Sequence, residues 1–191
     1  RAGLKWFEAN LREPRVNCLE VWGKRNDLRR MRATTTLGVV YSDGYQLFAD
    51  PNPLPTPDHL HDWYPFWEVK LGKPLGKAVE HADGSATREF AAGTVLYNHF
   101  GNKPASVKFA EDRKRVSDGT VGREFTVPDA DGDVFLKDVN AKIEVSAATA
   151  SAGTTGPVAP KWEGNRDFSS PKFDVSKSTV KEPSPGDLEV K

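Results

Sequence analysis

The sequence has little of what would assign it to several large classes of protein. Its single cysteine, Cys18, excludes an internal disulfide and a cysteine-rich metal site. The 27 basic and 27 acidic residues cancel, so no basic field is present to hold a nucleic acid. No apolar run approaches the roughly 20 residues that cross a bilayer. We therefore predict no nucleic-acid partner, no membrane-spanning segment and no cofactor.

Methionine is also scarce. The chain begins at Arg1, and the only methionine, Met31, lies inside a helical pattern where translation is not expected to start. We therefore expect the chain to be a fragment of a longer protein.

Helical and strand patterns alternate in residues 1–83. Apolar spacing predicts a helix over 3–12, and β-branched and apolar residues predict a buried strand over 15–22. Asn26 or Asp27 can cap a second helix, and residues 45–49 have a strand pattern. This order is typical of a parallel sheet with crossover helices. We interpret it as the last βα units of an incomplete (β/α)8 barrel.

The residue pattern changes after residue 49. A proline-rich, aromatic loop is predicted over 50–76, because four prolines between 51 and 57 forbid a helix. Short runs separated by turn residues predict an antiparallel β-sandwich of about six strands over 84–146. Residues 147–191 are small, polar and proline-rich, which predicts a linker and a disordered tail. The predicted fold class is thus α/β plus all-β.

Several segments carry a resemblance to a known family. They are residues 27–50, residues 63–76 with their LGKPLG end, residues 86–109 and residues 125–136. Together they resemble the C-terminal part of hypothetical glycosyl hydrolases with a TIM-like barrel. In that family a β-domain with the pattern R-x-F-x-x-G-x-V-x-x-N follows the barrel, matched here by Arg88, Phe90, Gly93, Val95 and Asn98. The resemblance spans roughly residues 15–137 and implies carbohydrate chemistry.

Two acids stand where a barrel would place catalytic groups, at the C-terminal ends of strands. Glu20 lies near the end of the first strand, and Asp50 directly follows the second. Glycoside cleavage usually needs two carboxyl groups about 5 to 9.5 Å apart. We predict Glu20 and Asp50 as this catalytic pair, with the equal alternative that the partner carboxyl group lies on a barrel strand missing from this chain. The alternative is that Glu20 pairs with an arginine and Asp50 caps a turn.

The loop over 58–68 has the densest cluster of aromatic and titratable groups. Sugar rings present an apolar face that stacks on Trp or Tyr, while their hydroxyls need carboxylates and imidazoles. The predicted substrate-binding residues are Asp58, His59, His61, Asp62, Trp63, Tyr64, Trp67 and Glu68. Alternatively, the aromatic residues bury a junction between the barrel and the β-domain.

Two acidic clusters invite a metal hypothesis, which we do not adopt. The histidines at 59 and 61 with their flanking aspartates lack a third defined ligand. The acids at 129, 131 and 133 imitate a calcium loop, but position 140 is Asn140 instead of the required glutamate. A β-turn explains these acids more simply.

These features lead to one functional hypothesis and one alternative. The chain is expected to belong to a glycoside hydrolase-like protein acting on a poly- or oligosaccharide, and to be inactive alone. Its expected partners are a carbohydrate and the missing N-terminal part of its own barrel, with an extracellular or periplasmic location favoured for the whole protein. The alternative is a non-catalytic carbohydrate-binding or structural surface module.

Overall fold

A computed structural model describes residues 1–49 and 63–143 of the 191-residue chain. The residues at 50, 58, 59, 61 and 62 that the sequence singles out therefore lie outside the described residues. So does the predicted disordered tail.

The first four elements follow the order that the sequence patterns predict. They are α1 (Ala2–Asn10), β1 (Cys18–Trp22), α2 (Leu28–Tyr41) and β2 (Tyr45–Ala49). The Asp27 side chain accepts a hydrogen bond of 3.0 Å from the Arg30 backbone N–H, which satisfies a donor of the first turn of α2. Strands β1 and β2 pair in parallel, with Glu20 opposite Leu47, and form a two-stranded sheet of their own.

A short 3-10 helix (Pro65–Trp67) precedes a larger sheet. Its strands are β3 (Val79–Glu80), β4 (Ala86–Glu89), β5 (Gly93–Asn98), β6 (Ala105–Arg115), β7 (Val121–Val127) and β8 (Asp131–Leu136). These six strands form one antiparallel sheet in the order β3-β4-β5-β8-β6-β7. Strand β6 pairs with β7, and its last residues also pair with β8, past a register shift between Lys108 and Arg113.

Helix α2 packs against both sheets. Two glycines permit this close approach: a Cβ on Gly38 would lie 1.7 Å from Gln46 Oε1 of β2, and one on Gly132 would lie 1.8 Å from Thr36 Oγ1. The Gly38 contact packs α2 against β2 of the two-stranded parallel sheet, and the Gly132 contact packs α2 against β8 of the antiparallel sheet. No side chain larger than hydrogen fits at either glycine without a shift of its neighbour.

One hydrophobic cluster fills the space around α2. It includes Met31 and Val40 of α2, Phe48 of β2, Val95 of β5 and Val134 of β8, all buried. Residues before and after position 83 therefore share a core. The predicted domain boundaries stay a prediction.

The predicted fold class is wrong in two respects. The described residues contain no (β/α)8 barrel units: the parallel sheet has two strands, and α2 packs on the antiparallel strands β5 and β8 instead of joining a ring of helices. The predicted sandwich is a single sheet, because β6 is long enough to join β7 to β8. Local patterns specified helices and strands, whereas the number of strands in a sheet depends on distant pairings.

The longest described helix, α2, has 14 residues. Among the described helices none is long and apolar enough to cross a membrane.

Candidate functional site

The aromatic segment, residues 63–68, has both buried and exposed side chains. Tyr64 and Phe66 are buried in the cluster around α2, and Trp67 packs against it. Trp63 is 67% exposed. The neighbouring residues Tyr64 and Pro65–Trp67 bend the chain into a single 3-10 turn, which sends successive rings in different directions. The segment is therefore an anchor in the core and a platform at the surface.

Hydrogen bonds fix the polar atoms of three of these rings. The Trp63 Nε1–H donates to Glu68 Oε1 at 3.0 Å, and the Trp67 Nε1–H donates to Thr35 Oγ1 of α2 at 2.9 Å. The Tyr64 hydroxyl donates to the Arg25 carbonyl oxygen at 3.1 Å. Each bond lies within the ordinary range for its type or close to it, so each ring is held in one orientation.

The rings also contact one another from the core to the surface. Edge-to-face pairs link Phe48 to Tyr64 at 5.9 Å, Tyr64 to Trp67 at 5.0 Å, and Trp67 to Trp63 at 5.8 Å between ring centroids. Edge-to-face geometry is the preferred arrangement for aromatic pairs. The exposed Trp63 ring is thus continuous with the buried core.

A cleft of about 620 Å³ opens beside this segment. Its apolar lining includes Val69, Leu136 and Ile143, and its rim carries Glu68, Lys70, Asp138 and Lys142. Glu68 belongs to both features, because it lines the cleft and accepts the hydrogen bond of Trp63. An apolar floor with a few polar groups is typical of a small-ligand site.

The predicted site residues divide into three groups. Trp63, Tyr64, Trp67 and Glu68 come together in the aromatic segment, although Tyr64 is buried there and is not available to a ligand. Glu20 is exposed on β1 and has an interaction within the chain. The predicted residues Asp50, Asp58, His59, His61 and Asp62 lie outside the described residues, so the separation of Glu20 and Asp50 stays untested.

The motif that carries the family resemblance has structural tasks here. The Arg88 guanidinium is buried and donates to the Val39 and Ser42 carbonyl oxygens at the end of α2, and to Asp43 Oδ1 at 2.7 Å. A cation at a helix C-terminus complements the free carbonyl groups there. Arg88 therefore ties β4 to α2.

Gly93 and Asn98 are constrained by the backbone around them. A Cβ on Gly93 would lie 2.7 Å from the Phe135 carbonyl oxygen of β8. The fully buried Asn98 Nδ2 lies within 3.1 Å of three carbonyl oxygens, those of Lys103, Val127 and Pro128, and its Oδ1 accepts from Asn102. Phe90 and Val95 belong to the core. The motif thus describes the sheet and its packing on α2.

The acid turn, residues 129–133, serves to attach α2 to the sheet. Arg29 pairs with Asp129, and Arg32 makes a bidentate pair with Asp131 through bonds of 3.0 and 2.8 Å. Within the described ranges, 1–49 and 63–143, no group of three or more His, Cys, Asp or Glu side chains could hold a metal ion.

Asp133 is a buried carboxyl group of this turn. It accepts bonds from the Ser117 hydroxyl, the Ser117 N–H at 3.2 Å and the Val134 N–H at 2.9 Å. Burial raises the pKa of Asp133 to about 6, since removal from water disfavours the charged form more than these donors favour it. Arg115 Nε lies 3.7 Å from its carboxylate.

No sequence pattern predicted the cleft beside Glu68. Its floor is assembled from residues far apart in the chain, such as Val69, Ala92 and Leu136, and no spacing rule brings these together.

Comparison of the chain with protein-family models, with curated proteins and with solved structures finds no match.

Proposed function

We propose that this chain is a non-catalytic carbohydrate-binding module whose ligand stacks on Trp63. One observation carries the proposal: the Trp63 ring is 67% exposed and yet fixed, by its hydrogen bond to Glu68 and by its contact with Trp67. A rigid aromatic surface loses little conformational entropy when a ligand covers it. This is the property that a sugar-stacking platform needs.

The surroundings of Trp63 suit the rest of a sugar. The C–H face of a pyranose is apolar and packs on an indole, while its hydroxyls need donors and acceptors at the edge of the ring. Glu68 supplies acceptor oxygens at that edge, and the Lys70 ammonium on the cleft rim supplies donors. The resemblance to glycoside hydrolase-like proteins implies the same class of ligand.

Trp6 of α1 provides an internal comparison. It is also 67% exposed, but its indole N–H has no hydrogen-bond partner within residues 1–49 and 63–143. An exposed indole without such a hydrogen bond has more freedom to lose on binding. We therefore assign the stacking role to Trp63 and use Trp6 as its matched control.

Hydrolysis is not part of the proposal for this chain. It requires a second carboxyl group at a defined distance from the first, and Glu20 is the one member of the predicted pair among the described residues. A catalytic role for Glu20 and Asp50 in a longer protein stays a separate hypothesis. It predicts that Glu20→Gln and Asp50→Asn each lower hydrolysis by that longer protein at least about a hundredfold.

Titration calorimetry with cellohexaose, xylohexaose and chitohexaose tests the module. We expect at least one hexasaccharide to bind, with affinity falling about tenfold in Trp63→Ala and remaining unchanged in Trp6→Ala. Loss of affinity in both variants to the same degree, or binding of none of the three sugars, would overturn the assignment.

A further inference from the structure

Hydrogen bonds hold the backbone of the cleft beside the aromatic segment in place. On its floor, the Ala92 N–H donates to the Leu71 carbonyl oxygen, and the Ala92 carbonyl oxygen accepts from the Lys137 N–H, each at 2.9 Å. Ala141 also lines the cleft, and its carbonyl oxygen accepts from the Lys114 ammonium at 2.7 Å. Because these backbone groups are already paired, they make no polar demand on a ligand, and the cleft is formed in advance of binding.

Most of the cleft lining is apolar. Its apolar residues are Pro65, Val69, Ala92, Leu136, Ala141 and Ile143. Every residue of cellohexaose or xylohexaose carries hydroxyl groups, and burial of a hydroxyl against such a surface without a partner is unfavourable. Burial of a methyl group there is favourable. The lining therefore favours a saccharide with an apolar substituent over one that has hydroxyls alone.

The rim of the cleft combines charges of both signs. The carboxylates of Glu68 and Asp138 balance the ammonium groups of Lys70 and Lys142, which favours a neutral ligand over a uronate or a free amine. Within residues 1–49 and 63–143, neither lysine ammonium has a hydrogen-bond or ion-pair partner. A lysine ammonium has three donors and no acceptor, so these groups suit a ligand that presents an acceptor such as a carbonyl oxygen.

Glu68 connects the cleft to the stacking ring of Trp63. Its Oε1 accepts the Trp63 indole N–H at 3.0 Å, and the same side chain lines the cleft. The cleft therefore begins at the edge of the indole. A sugar ring stacked on Trp63 projects its substituents past that edge, so one substituent can enter the cleft while the ring remains stacked.

We propose that this cleft holds the acetamido group of a 2-acetamido sugar, which makes the module selective for N-acetylated saccharides. The acetyl methyl group packs on Val69, Leu136 and Ile143, and the amide carbonyl oxygen accepts a hydrogen bond from the Lys70 ammonium. The inference rests on the proposed function, and it names the class of sugar that stacks on Trp63.

Chitohexaose and cellohexaose are a matched pair of ligands for the test. They share one backbone of β-linked glucose rings and differ at the second ring carbon, which carries an acetamido group in chitohexaose and a hydroxyl in cellohexaose. In titration calorimetry we expect the full chain to bind chitohexaose about tenfold more tightly than cellohexaose. The fully deacetylated glucosamine hexasaccharide should lose this advantage, because it keeps the rings and lacks the acetyl group.

Two variants test the cleft itself. Ala141→Leu fills part of it, and Lys70→Ala removes a donor from its rim. Each should lower the affinity for chitohexaose at least about threefold more than the affinity for cellohexaose. Lys73→Ala is the matched control, because Lys73 is exposed and does not line the cleft, and it should leave both affinities unchanged. If Ala141→Leu does not fold, Lys70→Ala carries the test, since Lys70 is exposed.

Each outcome has a distinct meaning. Equal affinity for chitohexaose and cellohexaose, with both lowered in Trp63→Ala, overturns this inference and leaves the proposed function standing. A preference for chitohexaose that persists undiminished in the cleft variants shows that the acetamido group binds elsewhere, and this also overturns the inference. Binding of none of these sugars overturns the proposed function as well.

Discussion

The acid turn and the aromatic segment are both dense in residues that often perform chemistry, but their environments are opposite. In the acid turn the carboxylates are already engaged: Asp129 with Arg29, Asp131 with Arg32, and Asp133 with Ser117. In the aromatic segment Trp63 is exposed to solvent, although its orientation is fixed. The acid turn joins α2 to β8, whereas the aromatic segment joins the core to the surface.

The difference shows that residue type alone does not locate a site. A group whose donors and acceptors are all matched inside the fold contributes to stability, and a ligand must break a bond to use it. A group held in place but still open to solvent can be used at little cost. Variants of the acid turn should therefore change stability, and variants of the aromatic segment should change binding.

The largest effect is expected at Asn98, whose amide holds the backbone that enters the acid turn. Asn98→Ala leaves the carbonyl oxygens of Lys103, Val127 and Pro128 without their buried donor and opens a small cavity. We expect the free energy of unfolding to fall by about 4 kcal/mol. Guanidinium denaturation followed by tryptophan fluorescence measures it.

Asn140→Ala is the matched control, because Asn140 is exposed and its side chain has no hydrogen-bond partner among the described residues. It should change stability by less than about 0.5 kcal/mol. Similar losses in the two variants would show that Asn98 does not organise the acid turn.

A smaller effect is expected from the titration of Asp133. Its pKa is raised to about 6 in the folded protein, against about 4 in an unfolded chain, so the folded state holds the proton more tightly. The stability contributed by the protonated form is complete below pH 4 and is lost as the pH rises through about 6. The total is about 3 kcal/mol.

The comparison with Asp133→Asn isolates the contribution of Asp133 titration to stability, since asparagine is neutral throughout. The difference in unfolding free energy, wild type minus variant, should decrease between pH 4 and pH 6 and stay flat above pH 7. Other carboxylates, such as Asp83, whose pKa is lowered by the hydroxyl of Ser85, contribute equally to both proteins and cancel. A constant difference across this range would mean that folding does not raise the pKa of Asp133.

Much of the local structure of α2 and its neighbours could be predicted from the sequence. Asp27 is a capping residue before a periodic apolar pattern, and β2 follows the turn at Gly44. Such signals are local, so each element could be placed. The packing of the antiparallel sheet on α2 could not be predicted in this way. It depends on a close approach of Thr36 to Gly132 of β8, and these two residues are nearly a hundred positions apart in the sequence.

Sequence signals were also insufficient to predict which single side chains of the candidate site are buried and which are exposed. The sequence identified the aromatic segment, and it left open whether the rings bind a sugar or fill a junction. Both occur: Tyr64 and Phe66 are buried, and Trp63 is exposed. Four neighbouring aromatic residues look alike in sequence, and only the direction of the 3-10 turn against α2 decides which of them reaches solvent.

The smallest effect on stability, and the sharpest test of the comparison, is expected at Thr35. Its hydroxyl oxygen accepts the Trp67 indole N–H, and Trp67 in turn contacts Trp63. Thr35→Val keeps the shape of the side chain but removes this acceptor, so unfolding free energy should fall by about 1 kcal/mol. Because Trp63 then loses part of its support, we expect hexasaccharide affinity to fall about threefold in calorimetry. Thr34→Val is the matched control: Thr34 lies on the same helix, and its hydroxyl donates to the Arg30 carbonyl oxygen. This control variant should leave affinity unchanged. Equal affinity in the two variants would mean that Trp63 is positioned by Glu68 alone, and the aromatic segment would then be an anchor and a platform that work independently.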